Sequence, residues 1–310
     1  MTEKERIELA ELLFPNITKT REDYEAMYPE RDLPEKAMVT RFGPSPTGFV
    51  HMGSLFGAFC DYIYAKQSNG VFYLRIEDTD QKRSIENGTE GIFNDLDAFS
   101  ITPNESSKAG GAYGPYIQSE RTEIYQTYVK DLIKQGLAYP CFMTEEEISS
   151  IREEQEINKT KIGIYGMYAV DRDLSLEEIK EKLANNEEYV IRLKSPGNAN
   201  NQIEIVDCIK GKMKFPEHDM DTVLLKKDGT PTYHLAHAID DHLMHTTHVI
   251  RSDEWVSSIP LHVQLFEILG FKRPEYAHTA PITKKENGNI RKLSKRKDPE
   301  AKVSYYEEVG

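Results

Sequence analysis

A loop that ends in a histidine is the first segment of this chain that could bind phosphate. Pro44 and Pro46 stiffen the backbone ahead of the histidine, His51. Gly48 and Gly53 lack the side chains that would hold a ligand away from the backbone. An apolar helix is predicted to begin near Gly53, and its unpaired amides and positive dipole end would face the loop, where phosphate is the usual ligand. The same residues also suit an ordinary surface loop, so a second feature of the sequence must decide between a phosphate-binding loop and a simple connection.

The second candidate segment is the basic run at residues 282–297. It holds seven lysines and arginines against one glutamate, in a chain whose net charge is −13. Such runs usually form a solvated face or a nucleic-acid-binding tail. Here "ENGN" predicts a hairpin turn, and Lys292 and Lys295 flank the small Ser294 in a loop able to close over a polyphosphate. Lysine suits a departing pyrophosphate because its ammonium group is a compact charge on a flexible stem.

Composition narrows the classes of protein that the chain can belong to. With 310 residues, 38% of them hydrophobic and 29% charged, it is long enough for one large α/β domain with an insertion. No apolar run is long enough to span a membrane, and the N-terminus does not resemble a signal peptide, so we expect a cytoplasmic protein. Cys60, Cys141 and Cys208 are odd in number and lie far apart in the sequence, which argues against a disulfide framework. The negative charge argues against nucleic-acid binding by bulk basicity.

Strands and helices alternate in two parts of the chain, as is typical of a doubly wound parallel sheet. In the first part, "AMVTRF" predicts a buried strand, which is followed by a helix from about Gly53 to Ser68 and by a second strand, "GVFYLRIED". A further helix is predicted to be capped by Ser84 and to run through Phe99. In the second part, "HLAHAIDDHLM", "THVIR" and "SIPLHVQLFEILG" predict helix, strand and helix.

The region between these parts has a different pattern, which predicts an inserted domain. A helix from Ser119 to Gly136 is followed by the acidic, helical "TEEEISSIREEQEI", by the strand-like "EYVIRLKSP" and by a hairpin that turns at Asp228-Gly229. A separate helix is predicted over residues 3–14. We therefore expect an N-terminal helical extension (1–37), the first half of the nucleotide-binding domain (38–116), the insertion (117–228), the second half (229–283) and the lysine loop with the start of a further region (284–310).

Several motifs resemble those of a known family. "HMGS" at 51–54 and "KLSKR" at 292–296 resemble the paired signatures of class I aminoacyl-tRNA synthetases. "RFGPSPTG", "RIEDTD", "GPYIQSER", "PTYHLAHAIDDHL" and "VIRSDEW" look like the bacterial glutamyl-tRNA synthetase family, in the right order from about Val39 to the C-terminus. The resemblance implies an α/β fold with a Rossmann-like doubly wound parallel sheet, split by an inserted α+β domain that binds the tRNA acceptor stem. We expect the catalytic N-terminal portion of such an enzyme.

The resemblance also implies an activity. The enzyme would activate L-glutamate with ATP and substrate-associated Mg²⁺, release pyrophosphate, and transfer glutamate from the adenylate to the 3′ end of tRNA(Glu). The α-carboxylate of glutamate is already ionised, so the first step needs positioning and charge stabilisation rather than a general base. A planar arginine could pair with the side-chain carboxylate. On family grounds we expect a monomer with no membrane association.

Site residues follow from the resemblance, position by position. The catalytic residues would be His51, Lys292 and Lys295. ATP would contact Pro46, Thr47, Gly48, His51, Gly53, Ser54, Lys292, Leu293, Ser294 and Lys295. Glutamate would contact Arg41, Ser45, Glu77, Tyr233, His237 and Arg251.

Three departures from the family pattern bear on these assignments. His237 stands where the family often carries an asparagine, and its contact with glutamate would then run through a ring nitrogen. Many relatives bind zinc in the insertion through several cysteines, but here only Cys141 remains, so we expect no structural zinc. The segment "HLAHAIDDHLMHTTH" places His234 and His237 on one helix face, which leaves a functional metal site as a minor alternative.

Other functions remain open at this point. The nearest is a shortened glutamyl-queuosine tRNA(Asp) synthetase, which activates glutamate but modifies a base. A nucleotidylyltransferase would share an H-x-G-H loop, although Ser54 replaces the second histidine here. A tRNA-binding paralogue without catalysis is disfavoured because His51, Lys292 and Lys295 are all present.

Overall fold

Parallel strands joined by helices form the first half of the predicted nucleotide-binding domain. The computed structural model describes residues 1–48, 50–80, 85–286, 288–294, 297–303 and 305–306. Strands β1 (Val39–Phe42) and β2 (Val71–Leu74) pair in parallel and are connected through helix α3 (Met52–Gln67). Helix α4 (Gly88–Ala98) follows β2. Buried apolar side chains from these four elements form one core, which includes Phe42, Leu55, Phe72, Leu74 and Ile92.

The predicted start of α4 was wrong. The described residues just before the helix form a turn, and the helix begins at Gly88 with Asn87 at its N-cap in the left-handed conformation (φ +58°). A positive φ at this position ends the preceding turn, which is why the helix starts later than the sequence pattern indicates. Ser84, the predicted capping residue, lies outside the described residues.

The second half repeats the strand–helix alternation, as predicted. Helix α8 (Tyr233–Leu243), strand β8 (His248–Ser252), helix α9 (Ile259–Leu269) and strand β9 (Glu275–Thr279) follow one another, and β8 and β9 pair in parallel. The two halves meet where the Thr247 amide donates to the Val39 carbonyl at 2.9 Å. At the carboxyl ends of the two strands, Phe42 of β1 and Ser252 of β8 line the same cavity.

The region predicted as an insertion contains helices and an antiparallel sheet. Strands β3 (Ala138–Cys141), β4 (Val190–Leu193) and β7 (Val223–Leu225) form that sheet in the order β3-β4-β7. Helices α5 (Thr122–Gln135), α6 (Glu145–Ile157) and α7 (Leu176–Ala184) accompany it. Thr144 and Ser175 cap α6 and α7 through capping boxes. Gly136 ends α5 with a φ of +76°, as the sequence predicted.

Two further strands of this region join the sheet of the second half. Strand β5 (Gln202–Asp207) lies parallel to β9, with Asp207 opposite Tyr276, and strand β6 (Gly211–Pro216) pairs antiparallel with β5. The order of this sheet is β6-β5-β9-β8. The predicted insertion and the second half therefore share a sheet, a connection that the sequence pattern did not predict.

The N-terminal extension packs against α5. It contains two helices, α1 (Glu3–Leu13), which was predicted, and α2 (Arg21–Met27), which was not. The ammonium group of Lys130 on α5 pairs with Glu11 and donates to the carbonyl oxygens of Phe14 and Ile17. No described helix is long and apolar enough to cross a membrane.

A hairpin near the C-terminus carries the predicted lysine loop. Strands β10 (Thr283–Glu286) and β11 (Asn289–Lys292) pair antiparallel, with Glu286 opposite Asn289, which confirms the hairpin predicted from "ENGN". Arg291 then holds Asp298 through two hydrogen bonds of 2.6 and 2.7 Å. This pair links β11 to Asp298.

Candidate active site

A cavity of about 1300 Å³ opens where β1, β2 and β8 end and α3 begins. Both candidate phosphate-binding segments reach it, His51 from the start of α3 and Lys292 from the end of β11. The predicted site residues that line it are Arg41, Ser45, His51, Gly53, Ser54, Glu77, Tyr233, Arg251 and Lys292. This position matches the rule that ligands of open α/β sheets bind beyond the carboxyl ends of the strands.

The other residues that were predicted for the site do not line the cavity, or lie outside the described residues. Pro46, Thr47 and Gly48 continue the loop from Ser45, while Leu293 and Ser294 directly follow Lys292. The Ser294 amide donates to Asp298 at 2.8 Å, which fixes the backbone beside the lysine. Lys295 lies outside the described residues.

His51 caps helix α3 with its own ring. Its Nδ1 accepts a hydrogen bond from the Gly53 amide at 2.9 Å. A neutral imidazole has one acceptor and one donor nitrogen, so Nε2 carries the proton and is a donor. A Cβ at Gly53 would lie 3.1 Å from Nδ1, which favours glycine for this close approach. The Gly53 amide, which the sequence analysis assigned to phosphate, thus donates to the imidazole in this structure.

Lys292 is paired with an acidic side chain across the cavity. Its ammonium group contacts the carboxylate of Glu254, which lies in the 3-10 turn Asp253–Ser258 after β8. Both side chains are at least half exposed. An exposed ion pair of this kind contributes about 0–1 kcal/mol, so a polyphosphate could replace Glu254 at small cost.

Glu77 is held against the backbone of the loop after β1. Its carboxylate pairs with Arg75 at 2.9 Å. A Cβ at Gly43 would lie only 2.3 Å from Glu77 Oε1, so a residue with a side chain at this position would displace the carboxylate. Burial raises the pKa of Glu77, although Arg75 and Arg41 oppose that shift. Gly43 was not predicted as a site residue; its place two residues after Arg41, in the same motif, was the available signal.

Two adjacent aspartates on α8 organise the buried charges behind the cavity. Asp241 lies 2.7 Å from Arg75 and 3.2 Å from Arg41. Asp240 accepts from Arg121 at 2.7 Å and from the hydroxyl of Tyr125 at 2.8 Å. Burial alone would raise the pKa of Asp241, but Arg41 and Arg75 hold it well below the usual range.

Apart from Arg41, none of these supporting residues was predicted as a site residue from the sequence. A visible signal existed, because two consecutive acids in an otherwise apolar helix are costly to bury unless they are paired. The arginines that pair with them could not be predicted from the helix itself, because they lie on β1 (Arg41), just after β2 (Arg75) and just before α5 (Arg121).

Arg251 enters the cavity from β8 and, among the described residues, shares its wall with one other arginine, Arg41. Its Nη1 lies 3.3 Å from the Tyr233 hydroxyl, and the ring of Tyr233 packs on Trp255 with centroids 4.4 Å apart. Nη2 of Arg251 is buried and has no hydrogen-bond partner among the described residues. Arg251 itself lines the cavity, and because a buried donor without a partner is costly, an anionic ligand group would stabilise it.

His237 lies behind the cavity wall rather than in it. Its side chain is fully buried, with Nε2 at 3.0 Å from the Tyr276 hydroxyl and Nδ1 at 2.7 Å from Asp241. Burial lowers the pKa of His237 to about 4. The described residues that line the cavity do not include it, so its predicted contact with glutamate stays a prediction.

The histidine segment and Cys141 have partners within the protein. His234 Nδ1 lies 2.9 Å from His262 Nε2, and Cys141 accepts from Arg192 at 3.3 Å. Within the described part of the chain, no group of three or more His, Cys, Asp or Glu side chains is arranged to hold a metal ion.

Comparison with known proteins gives a consistent match. Residues 37–310 match the family model "tRNA synthetases class I (E and Q), catalytic domain". The chain is 54% identical to the glutamate–tRNA ligase of Clostridium beijerinckii over 97% of its own length and 55% of the relative's. The corresponding ligase of Clostridium perfringens is 53% identical, with 97% and 56% covered.

A solved structure is similar as well. The crystal structure of a glutamate tRNA ligase from Elizabethkingia meningosepticum, in complex with its amino acid, aligns with a TM-score of 0.76 at 42% identity, over 84% of this chain and 52% of that one. The chain spans about half the length of the curated relatives it matches.

Proposed function

The chain belongs to the class I tRNA synthetase (E and Q) family, and on that premise we propose that it activates L-glutamate with ATP and transfers it to tRNA(Glu). The observation that carries the proposal is that one cavity is lined by His51 and Lys292, which we propose as its phosphate-binding wall, and by Arg41 and Arg251, which we propose as its carboxylate-binding wall. A ligase of this type must hold both ligands in one space before it can join them.

The first step joins the two ligands. An oxygen of the glutamate α-carboxylate attacks the α-phosphorus of ATP, the bond from that phosphorus to the β-phosphate oxygen breaks, and pyrophosphate leaves with the electron pair. In the second step, a ribose hydroxyl of the terminal tRNA nucleotide attacks the carbonyl carbon of the adenylate. AMP leaves, and the hydroxyl proton is lost to solvent. Neither step requires a redox change.

His51 and Lys292 form the phosphate-binding part of the proposal. Because Nδ1 of His51 accepts from Gly53, the Nε2–H group is the donor that would contact a phosphate oxygen. Lys292 would leave Glu254 to stabilise the charge that develops on the departing pyrophosphate. Lys295, which lies outside the described residues, is proposed for the same task by family resemblance. The described residues contain no cluster suited to Mg²⁺, so that ion enters the proposal only with the triphosphate.

Arg251 forms the carboxylate-binding part, with Arg41 beside it. A hydrogen bond to a charged group contributes about 1.5–3 kcal/mol, which corresponds to a roughly ten- to hundredfold preference for glutamate over glutamine. Glu77 would bind the substrate ammonium group, since its carboxylate lines the same cavity. Ser45 and Tyr233 are proposed as further contacts.

The proposed acceptor-stem-binding insertion corresponds to residues 117–228. Supporting it are the separate β3-β4-β7 sheet and the helices α6 and α7 in that region. The two halves of the nucleotide-binding domain, residues 38–116 and 229–283, are proposed to bind ATP and glutamate. The monomeric state and the cytoplasmic location also stay predictions.

Aminoacylation of purified tRNA tests the proposal directly. The chain would be incubated with ATP and labelled glutamate, and either tRNA(Glu) or tRNA(Asp). We expect label in acid-precipitable tRNA(Glu), released by mild alkali as an ester should be, and no label when glutamine replaces glutamate. Label confined to tRNA(Asp) would support the glutamyl-queuosine alternative and contradict our proposal.

A further inference from the structure

We propose that Asp207, His234, His262 and His278 form an acceptor cage that positions Arg251 for the side-chain carboxylate of glutamate. The inference rests on the proposed function, which assigns that carboxylate to Arg251. The four cage residues act through Arg251 and are positioning residues. They come from β5, α8, α9 and β9, so the cage ties together four elements around one guanidinium.

The first arm of the cage runs from Arg251 through His278 to Asp207. Arg251 Nε donates to His278 Nε2 at 3.0 Å. Since Nε2 accepts, the imidazole proton must be on Nδ1, which donates to Asp207 Oδ2 at 2.6 Å.

The anchor of this arm is rigid. Asp207 also accepts the backbone amides of Ile209 and Lys210, each at 2.9 Å. His278 and Asp207 are almost entirely buried. The carboxylate therefore fixes the tautomer and ring orientation of His278, in the way that carboxylates orient histidine ligands of metals.

The second arm runs from Arg251 through His262 to His234. Nη1 of Arg251 lies 3.2 Å from His262 Nδ1. A guanidinium cannot accept a hydrogen bond, so Nδ1 is the acceptor and His262 Nε2 carries the proton. That proton is donated to His234 Nδ1 at 2.9 Å. The tautomers of both histidines follow from the single fact that arginine only donates.

Together the two arms leave one edge of Arg251 for a ligand. The Nε–H group and the two hydrogens of Nη1 are directed at His278, His262 and the Tyr233 hydroxyl. Only Nη2 lacks a partner among the described residues. The ring of Tyr276 supports the guanidinium, 4.8 Å from its centre. A ligand carboxylate that displaces the groups shielding Nη2 from solvent would therefore bind through this nitrogen, and not through the Nε edge that a bidentate side-on pair would use.

The chemistry of the cage explains why an anion is favoured. Arg41 and Arg75 each contact the carboxylate of Asp241 directly, whereas the described groups that accept from Arg251 are neutral imidazoles and a hydroxyl. Burial lowers the pKa of His278, and lowers that of His262 well below its usual value, which keeps both rings uncharged. A buried cation without a carboxylate partner is costly. Glutamate would supply the missing charge, and glutamine would not.

Two substitutions that differ by one methylene test the cage. In His278→Gln, the side-chain oxygen can reach the position of Nε2 and still accept from Arg251. In His278→Asn, the shorter side chain can meet only Asp207. Calorimetry would measure the binding of three ligands to the full chain. They are ATP itself and the sulfamoyl analogues of glutamyl-adenylate and of glutaminyl-adenylate.

We expect His278→Asn to lose roughly tenfold or more in affinity for the glutamyl analogue, in line with one charge-assisted contact, with ATP affinity unchanged. His278→Gln should recover most of the loss and most of the preference over the glutaminyl analogue. His248→Asn, which alters a half-buried histidine at the first residue of β8, is the matched control and should behave like the wild type.

Failure of the cage and failure of the proposed function would give different results. Equal losses for all three ligands in His278→Asn, or no difference between the Asn and Gln variants, would overturn the cage. If the wild-type chain itself did not prefer the glutamyl analogue, the proposed function would fail first. Unfolding curves of each variant, followed by circular dichroism, would separate a loss of fold from a loss of positioning.

Discussion

Gly43 shows how a single residue without a side chain sets the geometry of the site. A Cβ at this position would lie 2.3 Å from Oε1 and 2.8 Å from Cδ of Glu77. Alanine could adopt the backbone conformation of Gly43, because φ at this position is not positive. The constraint is therefore steric, and the three nearest atoms that an added Cβ would meet all belong to the Glu77 carboxylate.

We expect Gly43→Ala to weaken binding of the glutamyl-adenylate analogue. The added Cβ would push the Glu77 carboxylate out of its place in the cavity wall, so affinity should fall roughly tenfold or more, as expected for the loss of one charge-assisted contact. Calorimetry checks this. The matched control is Gly91→Ala in α4, where an added Cβ meets nothing within 4 Å. Unchanged affinity in Gly43→Ala would contradict the role given to Glu77.

At the residue scale, the sequence predicted the residues that touch ligands better than those that support them. His51, Arg41 and Arg251 line one cavity, as expected of motif residues. Asp207 and His278, which hold Arg251, were missed because 71 positions separate them and neither belongs to a recognisable pattern. Hydrogen bonds between residues so far apart are set by the fold, which periodicity does not report.

At the scale of elements, local patterns predicted α3, α8, β8 and α9 well. Their apolar periodicity is strong, and turn residues such as Gly270 mark their ends. Helix α2 was missed although Thr20 and Asp23 form a capping box, because seven residues are too few to show a clear period. The pairing of β5 with β9 could not be predicted, since strand register depends on partners that are distant in sequence.

Helices α8 and α9 bury histidines whose protonation should make folding sensitive to acid. Burial lowers the pKa of His234 and of His237 to about 4 from the ordinary value of 6.5. The unfolded chain then binds protons that the folded chain does not, so the contribution of these groups to stability is complete above pH 6.5 and is lost as the pH falls towards 4.

We expect His237→Asn to flatten this dependence. Between pH 7.5 and 5, urea unfolding of the wild type should lose stability that the variant keeps, with a difference of the order of 1–3 kcal/mol for one buried histidine. The comparison isolates His237, because the remaining titrating groups are common to both proteins. Parallel pH curves for wild type and variant would show that His237 does not stay neutral in the fold.

At the scale of the whole molecule, the N-terminal extension is part of the packed structure although the family model begins at residue 37. Arg31 holds Glu105 through two hydrogen bonds of 2.8 and 2.9 Å and donates to the Met244 carbonyl at the end of α8. His242 on α8 lies 3.0 Å from Glu25 on α2. The extension thus braces the helix that carries Asp240 and Asp241, a role that its sequence alone did not indicate.

If this chain joins glutamate to ATP, one ligand must reach both walls of the cavity. A crystal structure of the chain with the sulfamoyl analogue of glutamyl-adenylate measures this directly. We predict that the sulfamoyl group, which replaces the α-phosphate, lies beside the start of α3 near His51, and that the side-chain carboxylate accepts hydrogen bonds from Nη2 of Arg251. An analogue bound with its carboxylate away from Arg251, or outside the cavity that His51 and Lys292 line, would contradict the account.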